Sequence, residues 1–297
     1  MTTVRPESFW EMEDSYKPMY QRYVDLGRLE ARKSKVAIVC IARNAMPYAI
    51  NTLELIDELA GEFREAVFYA FENDSVDGTE KALDGFAATR SWATVEHDTL
   101  HRPDIRGFEP ERTIALAEYR NRCRLWVENH AIDARYTVVL DLDPHGGFSV
   151  DGVLNSIGWL IEYEGQTCQG VTPGGMASYS LFVTAHEGGT QGVAHYDAYA
   201  ARLCWWEDRK KQLDDGYCTG HVWFHAFLPP AGCEPVPFYS AFGGLAVYKT
   251  EAFLAPGVHY AGGDCEHVAL HKSMRQAGYG MWLNPGCRYA AILPERP

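Results

Sequence analysis

The sequence predicts an α/β fold: a mainly parallel sheet flanked by helices, followed by a less regular C-terminal half. Three observations predict it. Between residues 35 and 143, short apolar, β-branched runs alternate with segments of helical periodicity. Two of those runs end in acids, "END" at 72–74 and "DLD" at 141–143. Beyond residue 143, glycines, aromatics and polar groups are mixed without that regular alternation. Ligands of parallel sheets bind beyond the carboxyl ends of the strands, so the acids mark where chemistry is expected.

Taken in order, residues 1–34 read as a charged, helical N-terminal extension that packs on the domain. "KVAIVCIA" (35–42) is a buried strand. Pro47 opens a helix whose Ile50, Leu53, Ile56 and Leu59 share one face. "EAVFYAFEND" (65–74) is the second strand, "SVDGTEKALDGFA" a turn into a helix, and "SWATVEHD" (91–98) a third strand. A polar loop spans 101–110, a long helix 111–132, and "YTVVLDLD" closes this half at 143. In the second half, 144–297, "PVPFYSAFGGLAVYKTEAFL" contains a strand and a glycine pair. "GGDCEHVALHKSMRQAGYGMWLNPGCRY" predicts a loop, a helix beginning near Asp264, and a final strand. One domain over 35–297, with an elaborated second half, follows.

With 297 residues the chain can bury a full core. Lys and Arg number 27 against 40 Asp and Glu, a net charge of −13, which disfavours a surface given over to nucleic acid without excluding a local basic cleft. The first residues carry acids among aromatics, unlike a secretory signal, and no stretch approaches the ~20 apolar residues of a membrane span. The eight cysteines are scattered with no CxxC pair, so reduced thiols in a cytoplasmic protein are expected.

Asp141 and Asp143 fall on one side of the pleat, which suits a hard divalent cation such as Mn²⁺ or Mg²⁺; alone, the pair also suits a solvated strand end. Glu72, Asp74 and Asp77 follow the second strand, and the same segment suits an Asp/Gly turn with an N-cap. Arg120, Arg122 and Arg124 point in different directions on their helix, and Arg120–Asn121 is placed to meet phosphates. His267 is retained as a third metal ligand, whereas His259 and His271 are expected to be satisfied surface or core histidines. His221 and His225, beside Trp223 and Phe224, suit a zinc pair, an acceptor wall or core. Tyr196, Tyr199, Trp205 and Trp206 suit either core or a sugar-stacking platform.

"VAIVCIARNA", "ENDSVDGT", "AEYRN" and "VLDLD" together resemble a metal-dependent glycosyltransferase of the GT-A type. More narrowly, the order "AEYRNRC", "DLD", "HYDAYAAR", "PVPFYSAFGGLAVYKTEAF" and "DCEHVALHKSMRQAGYGMWLNPGCRY" is similar to the fungal capsule-associated α-1,3-mannosyltransferase family, over about residues 36–290. The chain departs from that family at Phe242 and Gly243, where a tryptophan and an asparagine are usual, and at Cys265, where a serine is usual.

The resemblance implies a Rossmann-like GT-A domain whose 35–143 half binds the nucleotide sugar and whose 144–297 half faces the acceptor. It implies that Asp143 ligates the metal, with Asp141 on ribose or on the metal through water. Glu72 and Asp74 would sit near base and ribose, and Ala42, Arg43 and Arg120 near the donor diphosphate or sugar. Gly243 and Gly244 would let backbone approach the donor sugar. Glu266 would be the general base on the acceptor in an inverting enzyme, or a positioning acid in a retaining one. Asp264 would be an N-cap or accompanying acid, and Asp197 would line the site. The implied reaction moves a hexose from a UDP- or GDP-linked sugar to an acceptor hydroxyl, such as that of a glycan. Three other readings stay open: glycosylation of hydroxymethylated bases in viral DNA, a sugar nucleotidyltransferase, and a non-catalytic sugar-binding protein. "ARNAMPYA" lacks the glycines usual in the nucleotidyltransferase loop.

Overall fold

A computed structural model describes residues 3–8, 10–105, 107, 109–186, 189–195, 197, 199–204 and 229–293. Four parallel strands form the first half of the sheet: β1 (Lys35–Ala42), β2 (Glu65–Asn73), β3 (Ala93–Asp98) and β4 (Tyr136–Asp141). The second half adds β5 (Thr172–His186), β6 (Gly189–His195), β7 (Val236–Phe238), β8 (Leu245–Lys249) and β9 (Tyr279–Leu293). The order across the sheet is β3-β2-β1-β4-β8-β5-β9-β7, with β6 paired to β5 off that path. At β4 the parallel half ends: β8 runs antiparallel to it, pairing Leu140 with Leu245.

Strands β1 and β4 are buried on both faces, which is why they read as unbroken apolar runs. Val36, Ile38 and Cys40 face one core, while Ala37 and Val39 face the other. The first core is covered by α1 (Lys17–Ala31), α2 (Tyr48–Gly61), α3 (Thr79–Ala87) and α5 (Val150–Glu162). The second is covered by α4 (Pro110–His130), the single turn α6 (Thr250–Phe253) and α7 (Glu266–Gln276). The helix expected near Asp264 thus begins at Glu266, with Cys265 at its N-cap and no side-chain cap bond.

Helix α1 is docked through two glycines. A Cβ on Gly27 would stand 1.8 Å from the Leu154 carbonyl oxygen, and one on Gly158 would stand 2.0 Å from that of Tyr23. The neighbours are backbone, so neither helix can give way cheaply. Gly27→Ala and Gly158→Ala are each expected to cost about 2–3 kcal/mol, the upper range for overpacking. Urea unfolding measures this; a loss under 0.5 kcal/mol would mean the crossing is not tight in solution.

Among the described residues seven cysteines are free, Cys40, Cys123, Cys265 and Cys287 being buried; Cys218 lies outside the described residues. Among the described residues no helix is long and apolar enough to cross a membrane.

Candidate active site

A cleft of about 800 Å³ opens at the carboxyl ends of β1 and β4, where the parallel half of the sheet meets β8. Ala42, Arg43 and Asn73 come from the ends of β1 and β2, and Asp141, Leu142 and Asp143 from the end of β4. Arg112, Tyr119 and Arg120 of α4 form one wall. Asp197, Phe242, Gly244, Cys265, Glu266 and His267, all from the second half, close the other. Residues from both halves of the chain therefore line one cleft.

Arg120 is at its centre. Its side chain is 5% exposed; Nε donates to Glu266 Oε1 at 2.9 Å and Nη2 to Asp141 Oδ1 at 2.8 Å. Its guanidinium also lies 4.9 Å from the Phe242 ring centroid. Burial works against the charge, but Asp141 and Glu266 together overcome it and hold the guanidinium pKa well above its ordinary value. The expected phosphate group is thus a tie between two acids. Asn121 is likewise spent on backbone, donating to the Tyr260 carbonyl at 2.9 Å and accepting from its N–H at 3.0 Å.

Asp143 is open to the cleft. Crowding by the cleft walls, with the charge of Asp141 beside it, pushes its carboxyl up to about 6. Asp197 is also pushed up to about 6, chiefly by burial, although it accepts from Gly243 N at 2.9 Å and Ala200 N at 3.2 Å. Gly243 and Gly244 both take positive φ, 68° and 84°. This turn lets Gly243 donate to Asp197 and lets the Gly244 carbonyl accept from Asp141 N at 2.8 Å. A Cβ on Gly244 would meet the Tyr289 ring at 2.4 Å. In this structure the glycine pair joins two site acids, one on each half.

Several expected residues stand elsewhere. Glu72 and Asp74 face a separate, shallower pocket with His97 and His101, across Arg102 and Pro103 from the main cleft. Glu72 accepts from Ser75 N and meets His97 Nδ1, each at 2.9 Å; Asp74 accepts from His101 N at 2.9 Å. Alternation along β2 and the turn after it aims Asn73, not its acidic neighbours, into the cleft. Asp77 braces a turn, accepting from Met46 N at 2.8 Å and Thr79 N at 3.0 Å. Asp264 neither caps α7 nor lines the cleft. It is held by the buried Arg202, whose Nη2 lies 2.9 and 2.8 Å from its two oxygens. Arg43 does line the cleft, donating to the carbonyls of Arg102 at 2.8 Å and Pro103 at 3.3 Å.

His271 is a core histidine satisfied by Ser240 Oγ at 2.8 Å and Tyr248 Oη at 2.9 Å, and burial lowers its pKa to about 3. His259 bonds the Gly257 carbonyl at 2.7 Å. Tyr199 lines the cleft, while Tyr196, Trp205, Trp206, His221, Trp223, Phe224 and His225 lie outside the described residues. Sequence reasoning missed Arg112, Tyr119, Asn73 and Phe242 as lining residues. Tyr119 lay inside "AEYRN", but Arg112 gave no signal beyond its charge.

The three residues expected at the metal, Asp141, Asp143 and His267, line one cleft without converging. Among the described residues the one trio with ligand atoms within 4.8 Å of each other is Glu80, Asp84 and His97, exposed and away from the cleft. The cleft still fits a divalent cation chemically. Asp141 and Asp143 are hard oxygen donors whose mutual repulsion a cation relieves, with other positions left to phosphate and water.

No family model matches the sequence, and no curated protein matches it. Solved structures do share the fold. TarS 1–349 of S. aureus, in complex with UDP-GlcNAc, superposes with TM-score 0.50 and 9% identity over 89% of this chain and 60% of its own. The mannosyltransferase PcManGT of Pyrobaculum calidifontis, in complex with GDP-Man and Mn²⁺, gives 0.50 and 15% over 95% and 68%. GalNAc-T7 with UDP, GalNAc and Mn²⁺ gives 0.50 and 14% over 89% and 45%. The fold is that of GT-A glycosyltransferases, as the motifs implied. The chain spans less than two thirds of the TarS chain.

Proposed function

We propose that this chain is a divalent-metal-dependent glycosyltransferase that moves a hexose from a UDP- or GDP-linked sugar to an acceptor hydroxyl of a glycan. The observation that carries the reading is the cleft itself, on this fold. It faces the β4-end acids Asp141 and Asp143 toward Glu266 and Asp197 of the second half. The narrower likeness to the fungal capsule-associated mannosyltransferases belongs to this reading, as does a cytoplasmic location.

In this reading Asp143 and Asp141 hold Mn²⁺ or Mg²⁺, which offsets charge on the leaving diphosphate. Arg43 and Arg112 stand on the same wall to add to that stabilisation. Glu266, fixed by Arg120, takes the acceptor hydroxyl proton if the enzyme inverts, or positions the acceptor if it retains. Asp197 lines the sugar end. Glu72 and Asp74 act on the nucleoside only through the loop at Arg102 and Pro103 that separates their pocket from the cleft.

The test is thermal unfolding with UDP or GDP, with and without Mn²⁺, followed by hydrolysis of the matching sugar nucleotides. One base is expected to raise Tm in a metal-dependent way, by the mass action of a ligand that binds the folded state. No shift with either nucleotide removes the reading.

A further inference from the structure

Among the described residues, three cleft-lining side chains keep buried polar atoms without a hydrogen-bond partner, Arg43 at Nε, Arg120 at Nη1 and His267 at both ring nitrogens, and the last two lie against the second half. Arg120 spends Nε and Nη2 on Glu266 and Asp141, while Nη1 is buried without a partner among the described residues. His267 is 2% exposed, its ring stacked on Phe242 with centroids 3.6 Å apart, and neither ring nitrogen has a hydrogen-bond partner among the described residues. The nearest acid oxygen, Glu266 Oε1, is 3.6 Å from Nε2, too far for a hydrogen bond. Buried donors and acceptors are costly to leave unmade, so a ligand or an enclosed water completes them. Both residues line the cleft, Arg120 from the α4 wall and His267 from the second half, and the bond from Arg120 to Glu266 brings them to one place.

Charge says what the ligand is. The other cleft arginines, Arg43, Arg102 and Arg112, belong to the wall built by the first half, where a diphosphate is offset. Where Arg120 meets the second half, its positive charge is already matched by Asp141 and Glu266, and Asp197 adds another acid to the lining. A carboxylate brought there meets three acids against the single, already paired charge of Arg120.

We propose that Arg120 Nη1 and the His267 imidazole bond hydroxyls of an uncharged sugar at the end walled by Phe242, Asp197 and Glu266. That end then discriminates neutral hexoses from hexuronic acids. This rests on the glycosyltransferase reading and names the donor class within it. His267 accordingly serves the sugar rather than the metal.

The experiment compares donors sharing a nucleotide, UDP-glucose with UDP-glucuronate and GDP-mannose with GDP-mannuronate, with Mn²⁺ present and bare UDP and GDP as controls. On the nucleotide that binds, the neutral sugar is expected to bind at least about tenfold tighter than its uronate, as one lost charge-compatible hydrogen bond implies. His267→Leu is expected to raise KM for the neutral donor about tenfold while leaving bare nucleotide affinity unchanged. His267→Asn, which keeps a donor and an acceptor, recovers part of that loss. Equal affinity for hexose and uronate, or unaltered kinetics in His267→Leu while the nucleotide still binds, overturns this inference alone. It would assign the orphan nitrogens to an enclosed water. Should His267→Leu fail to fold, the donor comparison on the unaltered protein decides. No binding of any nucleotide overturns the function and this inference together.

Discussion

Asp143→Asn is expected to lower sugar transfer by about 10³-fold while leaving the protein at least as stable at pH 7. On the proposed glycosyltransferase reading, the rate loss follows from removing a carboxylate that would hold the metal and so support charge on the leaving diphosphate. The stability half follows from the sign of the pKa shift. Crowding and Asp141 raise the folded-state carboxyl toward about 6, above its ordinary 3.8. The folded chain therefore binds more protons than the unfolded chain between those values. Repulsion is absent below about 3.8, grows as pH rises through 6, and is complete above it. Asparagine removes it. Because Asp143 is open to the cleft's water, the gain at pH 7 is on the order of 1 kcal/mol or less. The advantage over the parent should fade as pH falls toward 4. Activity assays with Mn²⁺ and thermal unfolding across pH measure both halves. Retained transfer would sink the metal assignment; a lower Tm at pH 7 with none at pH 4 would sink the electrostatic account.

Arg120→Ala is expected to destabilise the fold by about 3–5 kcal/mol, the cost of stranding a buried charge by deleting its partner. Glu266 is the one stranded, since it and Arg120 are each only 5% exposed, whereas Asp141 at 30% can turn to water. Urea denaturation at pH 7 reads the loss. Less than 1 kcal/mol would mean that solvent reaches Glu266 in the folded state.

The parallel half of the fold was legible because burial on both faces leaves its mark in sequence: "VAIVC" and "VVL" are unbroken apolar runs. The cleft was legible at Asp141 and Asp143 because acids after such a run must face outward or meet a cation. Arg120 was legible as a position and not as a role. Its partner Glu266 lies 146 residues away, and nothing local to "AEYRN" announces it. Glu72 and Asp74 hid their placement for the opposite reason. Acids beside a glycine turn look alike whether they bind ligand or backbone, and here their oxygens serve Ser75, His97, His101 and Arg102. Asp264 was likewise read from local spacing as a cap, while its true partner Arg202 is 62 residues away.

The seam at β4 has a consequence for how the chain comes to life. The first-half wall is built from residues adjacent in sequence through short crossovers, but the opposing wall returns to it only after more than a hundred further residues. Contacts that distant close late, because loop entropy must be met before they reward the chain. In refolding, helical and strand signals should therefore recover ahead of catalysis. On the proposed reading, a half-assembled species, first wall formed and Glu266 not yet docked on Arg120, would hold a nucleotide before it can transfer anything.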